Sequence, residues 1–257
     1  MLASTPLLVL RLYELAQVLG TVFGAYLVLR FGASKFLVGL YAGCVSIFFF
    51  DWIFTDSWFL NLTYDARSLT LFTLDGRPEP LWSPCSYATF FGVTVLLVLR
   101  NRHWLDTRLG KWQYLALPAF IVVLDLAVEG FVIAALDVYR YGYRPEWTVL
   151  GVPYTNLIWV NLILLPMIWV CRSVVDMQHE RGIVTMRGKP SVVEPRPLPV
   201  VGDPAPTQIK TLSPAVVTAQ VREPLVMAAI GFSVCPTAFY LGIAVMTPVL
   251  QWIRPWT

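Results

Sequence analysis

The chain has 257 residues, of which 57% are hydrophobic and only 14% charged, with a formal net charge of +3. A soluble domain draws about a quarter of its residues from Asp, Glu, Lys and Arg, so a chain this poor in charge, with a mean hydropathy of +0.64, is expected in lipid rather than water. The positive charge is small and scattered, and no basic stripe interleaved with aromatics appears, which excludes nucleic acid as a partner.

A helix needs about 20 apolar residues to cross a hydrocarbon core of about 30 Å. On that criterion the sequence predicts an all-α fold, a polytopic membrane helix bundle with spans at 6–29, 37–60, 85–100, 114–137, 152–171 and 224–253. The first lacks a basic leader and a small-residue cleavage site, which marks it as a retained helix. The third is short and is expected to begin a few residues earlier. The last is long, and Pro236 and Pro248 leave open a bend or a division that would make a seventh span. The chain thus divides into helices and aromatic outer loops over 1–171, a proline-rich linker over 172–222 and a C-terminal membrane segment over 223–257. The linker carries SVVEPRPLPVVGDPAPTQIKTLSP, whose closely spaced prolines favour extended, solvated chain.

Thirteen of the 19 Lys and Arg residues fall in the first, third and fifth connections, and five in the second and fourth connections and at the C-terminus. Positive connections are retained in the cytoplasm, so both termini are predicted on the exterior or lumenal side. The outer connections are rich in rings: Trp58, Tyr64, Phe72 and Trp82 in one, and Tyr139, Tyr141, Tyr143, Trp147 and Tyr154 in the other. An interfacial aromatic belt explains most of them, and a lid of π faces over a cavity is the sharper alternative. Cys44, Cys85, Cys171 and Cys235 stand singly, and His103 and His179 belong to no ligand cluster, so neither a metal nor a cofactor is expected.

Ionisable groups inside spans are costly unless paired, neutral or facing water. Here the first span carries Arg11 and Glu14, the second Asp51 and Asp56, the fourth Asp125, Glu129 and, at its outer end, Asp137, and the fifth Asn156 and Asn161. At about 1.5 Å per residue, Asp51 lies about 21 Å, Asp125 about 16 Å and Glu129 about 22 Å from the inner ends of their spans. Counted from the outer ends, Arg11 lies about 8 Å deep, Glu14 about 12 Å and Asn161 about 14 Å. All fall in one layer just outside the midplane. Asp125 and Glu129 are four residues apart and share a helical face. Pairing of Arg11 with Glu14 and Asp51, and asparagines bonding between helices, would make these groups helix glue. One arginine cannot neutralise Glu14, Asp51, Asp125 and Glu129 together, however, and desolvation and like-charge neighbours both favour a neutral carboxyl able to donate a proton.

The stretch EGFVIAALDVYRYGYRPEWTVLGVPYTNLIW, from Glu129 to Trp159, resembles the Glu, Tyr, "GVP", Trp pattern of integral membrane carotenoid biosynthesis proteins, the group of bacterioruberin-type hydratases and small lycopene cyclases. The matching positions are Glu129, Tyr139, Gly151, Pro153 and Trp159. The resemblance implies that a carbon–carbon double bond is protonated inside the membrane, followed by addition of water or ring closure. The PxE motif of lycopene cyclases is absent, since Tyr154 and Thr155 follow Pro153. Fungal-type meroterpenoid cyclases are similar in size and in their paired membrane acids, with Asp51-Trp52 the remote echo of their WE signature. The segments 48–65 and 123–143 also share a pattern, each placing two acids in the outer half of a span before an aromatic loop.

The function expected from these features is acid-initiated cyclisation or hydration of an isoprenoid, terpenoid or carotenoid, by a lyase- or isomerase-type membrane enzyme. Its partners would be a lipophilic isoprenoid substrate and the bilayer. Glu129 is the expected general acid. Asp125 or Asp51 would hold the remaining negative charge, oriented by Arg11, and Tyr139, Tyr141 and Trp159 would shield the cation, with Asn156 also in the substrate site. Arg11, Asp51, Asp125 and Glu129 should then face one interior cavity. The alternative is a non-enzymatic protein, either a small transporter or an assembly scaffold. Spacings that would hold Mg²⁺ and a diphosphate are missing, as is a lysine within any span for retinal.

Overall fold

The computed structural model describes residues 5–30, 34–47, 62–74, 76–180 and 214–253. Five helices are long and apolar enough to cross a membrane: α1 (Leu7–Arg30), α3 (Trp82–Arg100), α5 (Gly110–Leu136), α6 (Tyr154–Glu180, apolar through Gln178) and α7 (Pro214–Ile253, apolar over Leu225–Val249). A shorter apolar helix, α2 (Lys35–Ser46), stands where the second span was expected. The rest of that span lies outside the described residues, and with it Asp51 and Asp56. A short helix, α4 (Arg102–Arg108), joins α3 to α5.

The outward face of α1 shows why this is a membrane protein. Leu8, Leu12, Leu15, Leu19, Val22, Tyr26 and Leu29 are all exposed, one every three or four residues, while Leu10, Tyr13, Glu14, Leu27 and Val28 are buried. A helix of a soluble protein turns its apolar stripe inward and its polar face out. Here the exposed stripe is apolar and a carboxylate is buried, the arrangement that lipid selects.

The helices approach closely where side chains are smallest. Gly39 and Gly43, one turn apart on α2, lie against the backbone carbonyls of Ala228 and Phe232 on α7, and Gly231 lies against the carbonyl of Phe36. A Cβ at any of these positions would collide with backbone, so α2 and α7 pack as a small-xxx-small pair. Gly242 farther along α7 approaches Trp159 and Ile163, so α7 runs parallel to α2 and antiparallel to α6. It continues unbroken through Pro236 and Pro248, and no seventh span arises from a division there.

The linker expected from 172 begins later. Helix α6 continues past Cys171 to Glu180 because its polar last turns find partners on α4: Arg172 pairs with Asp106 at 2.5 Å and Asp176 with Arg102 at 3.4 Å. Helix α7 starts at Pro214, where the missing N–H costs nothing. Residues 181–213, most of the proline-rich run, lie outside the described residues.

At the opposite end the loops form a cap. The Thr5 hydroxyl donates to the Leu136 and Asp137 carbonyls at 2.6 and 3.0 Å, fixing the start of α1 to the end of α5. Strand β1 (Leu62–Tyr64) pairs antiparallel with β4 (Tyr139–Tyr141), placing Leu62 opposite Tyr141 and Tyr64 opposite Tyr139. The hairpin of β2 (Thr70–Leu74) and β3 (Arg77–Pro80) leads into α3. A second, two-residue hairpin, β5 (Thr148–Val149) and β6 (Val152–Pro153), turns through Leu150 and Gly151, both at positive φ, as such tight turns require. The start of α1, the end of α7 and the described parts of both aromatic connections therefore share one end of the bundle, and α4 with the last turns of α6 lies at the other.

Candidate functional site

Helix α5 presents Gln113, Leu117, Ile121 and Asp125 as a buried row at four-residue spacing, and Glu129 continues it. This row carries the two acids to the wall of a cavity of about 880 Å³ beneath the cap. Asp125 is buried and Glu129 opens on the cavity. Helix α5 ends in a π-helical turn, Val132–Leu136, and Asp137 closes it in the left-handed conformation that a helix C-terminus favours. The chain then reverses into β4, whose side chains alternate between faces. Tyr139 and Tyr141 thus point inward together, while Arg140 points out and pairs with Asp137 at 2.5 Å.

The Glu129 carboxyl is the hub of the site. Its Oε1 accepts from the Tyr139 and Tyr141 hydroxyls at 2.9 and 3.0 Å, and its Oε2 from the Asn156 amide at 2.7 Å. The same amide reaches Asp125 Oδ2 at 3.4 Å and so joins the two carboxyls. Burial holds both phenols well above their ordinary pKa, so they remain hydroxyl donors. The two acids come from α5, the amide from the first turn of α6 and the phenols from the cap.

Rings close the top of the cavity. Trp82 stacks on Tyr139 with centroids 5.4 Å apart and 19° between planes, and Tyr13 and Tyr64 meet Trp82 edge-on at 5.5 and 5.4 Å. Tyr141 stands edge-on to Tyr139 at 5.9 Å, and Trp159 forms part of the wall below. For Tyr64, Trp82, Tyr139 and Tyr141 the lid over a cavity is therefore the better description, whereas Tyr154 is exposed as a belt residue would be. A scan of protein-family models and searches of curated proteins and solved structures find no match to this chain.

Of the residues expected in one site, the structure unites Asp125, Glu129, Tyr139, Tyr141, Asn156 and Trp159. Asp51 falls outside the described residues. Arg11 does not join them: one guanidinium nitrogen pairs with Glu14 at 2.5 Å and another donates to the Arg67 carbonyl at 2.9 Å, at the outer surface. A face set by Tyr13 and Gln17 turns Arg11 away from the cavity, and the nearer partners satisfy it. Asn161 bonds the Leu157 carbonyl of its own helix. Tyr13 and Gln17 are among the lining residues that sequence reasoning missed, while Tyr64 and Trp82 were foreseen only as rings of a belt or a lid. The i, i+4 spacing of Tyr13 and Gln17 was a usable signal, but the contact of Trp82 with Tyr139 depends on loop packing.

Among the described residues lining the cavity there is no Lys, Arg or His, and no group of three metal-ligating side chains occurs among the described residues. Two carboxyls thus share a hydrogen-bonded cluster with an apolar space before them and no cationic side chain among the described lining residues.

Proposed function

We propose that this chain is an integral membrane enzyme of isoprenoid metabolism that protonates a carbon–carbon double bond to begin a hydration or a cyclisation. The observation that carries this reading is the Asp125–Glu129 pair at the head of an apolar cavity, bridged by Asn156 and roofed by Trp82, Tyr139 and Tyr141. Two adjacent carboxyls without a cation cannot both be charged at low cost, so one proton is held between them. Delivered from Glu129 to the double bond, that proton leaves a carbocation on the substrate and a carboxylate on the enzyme. The Tyr139, Tyr141 and Asn156 donors stabilise that carboxylate, and the ring faces stabilise the cation. In hydration, water adds to the cation and returns a proton to the pair. In cyclisation, a second double bond attacks and a neighbouring C–H supplies the proton. Neither route consumes an acid equivalent.

In this reading the bundle has six spans, with the capped end and both termini on the exterior or lumenal side, as the distribution of Lys and Arg indicates. The resemblance of the Glu129–Trp159 stretch to membrane carotenoid biosynthesis proteins supports the same chemistry. The test is a lipid extract of cells expressing the wild type or Glu129→Gln, analysed by chromatography and mass spectrometry. A product one water heavier than its precursor identifies hydration, and one of equal mass identifies ring closure. Its loss in a folded Glu129→Gln protein supports the proposal, and its persistence would make these carboxyls helix glue or part of an ion path.

A further inference from the structure

The cavity is long and open on one side. Along α5 its lining runs from Val132 to Ala116, about 24 Å at 1.5 Å per residue, and along α3 from Trp82 to Val98, also about 24 Å. It therefore covers much of a hydrocarbon core of about 30 Å. A volume of about 880 Å³ drawn out over a length of about 24 Å suits an extended methyl-branched chain. The acids stand at one end. At the other, Leu105 of α4 and Leu117 of α5, both buried, form an apolar floor with Leu109.

The open side lies between α3 and α5, which both pack on α6 and are held apart by the cavity. Leu97 on α3 and Phe120 and Val128 on α5 line the space, yet among the described residues they remain 42%, 52% and 41% exposed. Their outer faces belong to the apolar, lipid-facing surface of the bundle. A π-helical turn in α3, Ala88–Val93, brings Phe90, Phe91 and Val93 to the same wall, and such turns widen a helix where a site must fit.

We propose that the cavity admits a single linear isoprenoid chain sideways from the bilayer, between α3 and α5, and holds it upright. Its terminal double bond meets Glu129, and its far end meets Leu105 and Leu117, which set the length accepted. This rests on the chemistry assigned above in naming the isoprenoid class and the reacting end. The chain's shape and orientation follow from the cavity alone.

The test uses binding of two unreactive probes, the branched hydrocarbons phytane and squalane, to detergent-solubilised full-length protein by native mass spectrometry. Wild type should hold one molecule of either. Leu105→Trp and Leu117→Trp should weaken squalane at least tenfold and leave the shorter phytane within about twofold, with Leu117→Phe, which perturbs packing less, giving the same order. Equal losses for both probes in folded protein, or no loss for either, would overturn the proposal. Glu129→Gln should bind both probes as wild type does. Failure of the acid chemistry and failure of length selection therefore give different results.

Discussion

Two acid-bearing helices enter the capped end of this bundle, and they use the same ingredients differently. On α1, Glu14 is buried, yet its Oε2 pairs with Arg11 at 2.5 Å and its Oε1 accepts the Leu69 N–H at 2.7 Å. Arg11 in turn holds the Arg67 carbonyl, so the pair clamps the 65–69 loop to the helix. On α5, Asp125 and Glu129 lie at a similar depth with no cationic side chain among the described cavity-lining residues, and their partners are neutral hydroxyl and amide donors at the edge of an open space. The comparison teaches that depth and residue type do not distinguish a structural acid from a chemical one. The partner does: a cation with a backbone donor fixes a carboxylate in place, whereas neutral donors beside a cavity leave a proton to be exchanged.

The widest separation between the two helices should appear in turnover. Glu129→Gln keeps the shape and one acceptor oxygen but has no acidic proton, so product formation should fall by a factor of about 10² to 10⁴ with the unfolding midpoint near that of wild type. Glu14→Ala should do the reverse. It removes the carboxylate that accepts the Leu69 N–H, a hydrogen bond to a charged group of the kind that contributes about 1.5 to 3 kcal/mol, which should lower the thermal midpoint while product per folded molecule is kept. Substantial loss of turnover from a folded Glu14→Ala protein would erase the distinction.

Smaller changes sharpen it. Tyr141→Phe removes one of the donors on Glu129, and a hydrogen bond to a charged group contributes about 1.5 to 3 kcal/mol. If that bond strengthens as the carboxylate forms, turnover should drop about tenfold or more with little change in substrate binding, which a comparison of kcat and KM would show. The smallest effect belongs to the clamp's own loop. Hydrogen bonds from the Arg67 side chain hold the Asp65 carboxyl below the usual carboxylate range, against the opposing effect of burial. A depressed carboxylate stabilises the fold above its unfolded-state value, near pH 4, and that stabilisation is lost as pH falls through the folded value. Asp65→Asn should therefore lower the midpoint slightly at neutral pH and make it less sensitive to acid, as melting curves from pH 7 down to pH 3 would record.

Much of the architecture could be read directly from hydropathy, because in lipid every backbone polar group must be satisfied within its own helix and only long apolar runs allow that. The five long helices and the placing of both aromatic connections at one end were legible in that way, as was the common face of Asp125 and Glu129, which helical periodicity fixes. The Gly39 and Gly43 spacing was equally available in the chain, but nothing local names α7 as the helix that fills it. The continuation of α6 to Glu180 was hidden because its last turns are polar, and their partners, Asp106 and Arg102, lie on another element.

The site divides along the same line. Residue type and spacing nominated Glu129, Asp125, Tyr139, Tyr141, Asn156 and Trp159, since a carboxyl inside a span is conspicuous wherever it occurs. They also nominated Arg11, which the tertiary structure assigns to the loop clamp, and they passed over Tyr13, which it brings against Trp82 at the roof of the cavity. The sequence by itself determined which groups stand within apolar helices and how far along them, because rise per residue is a property of the helix alone. Only the tertiary structure decided which acid is neutralised and which faces open space, because a partner's distance depends on how separate helices and loops pack, and electrostatic energy depends on that distance.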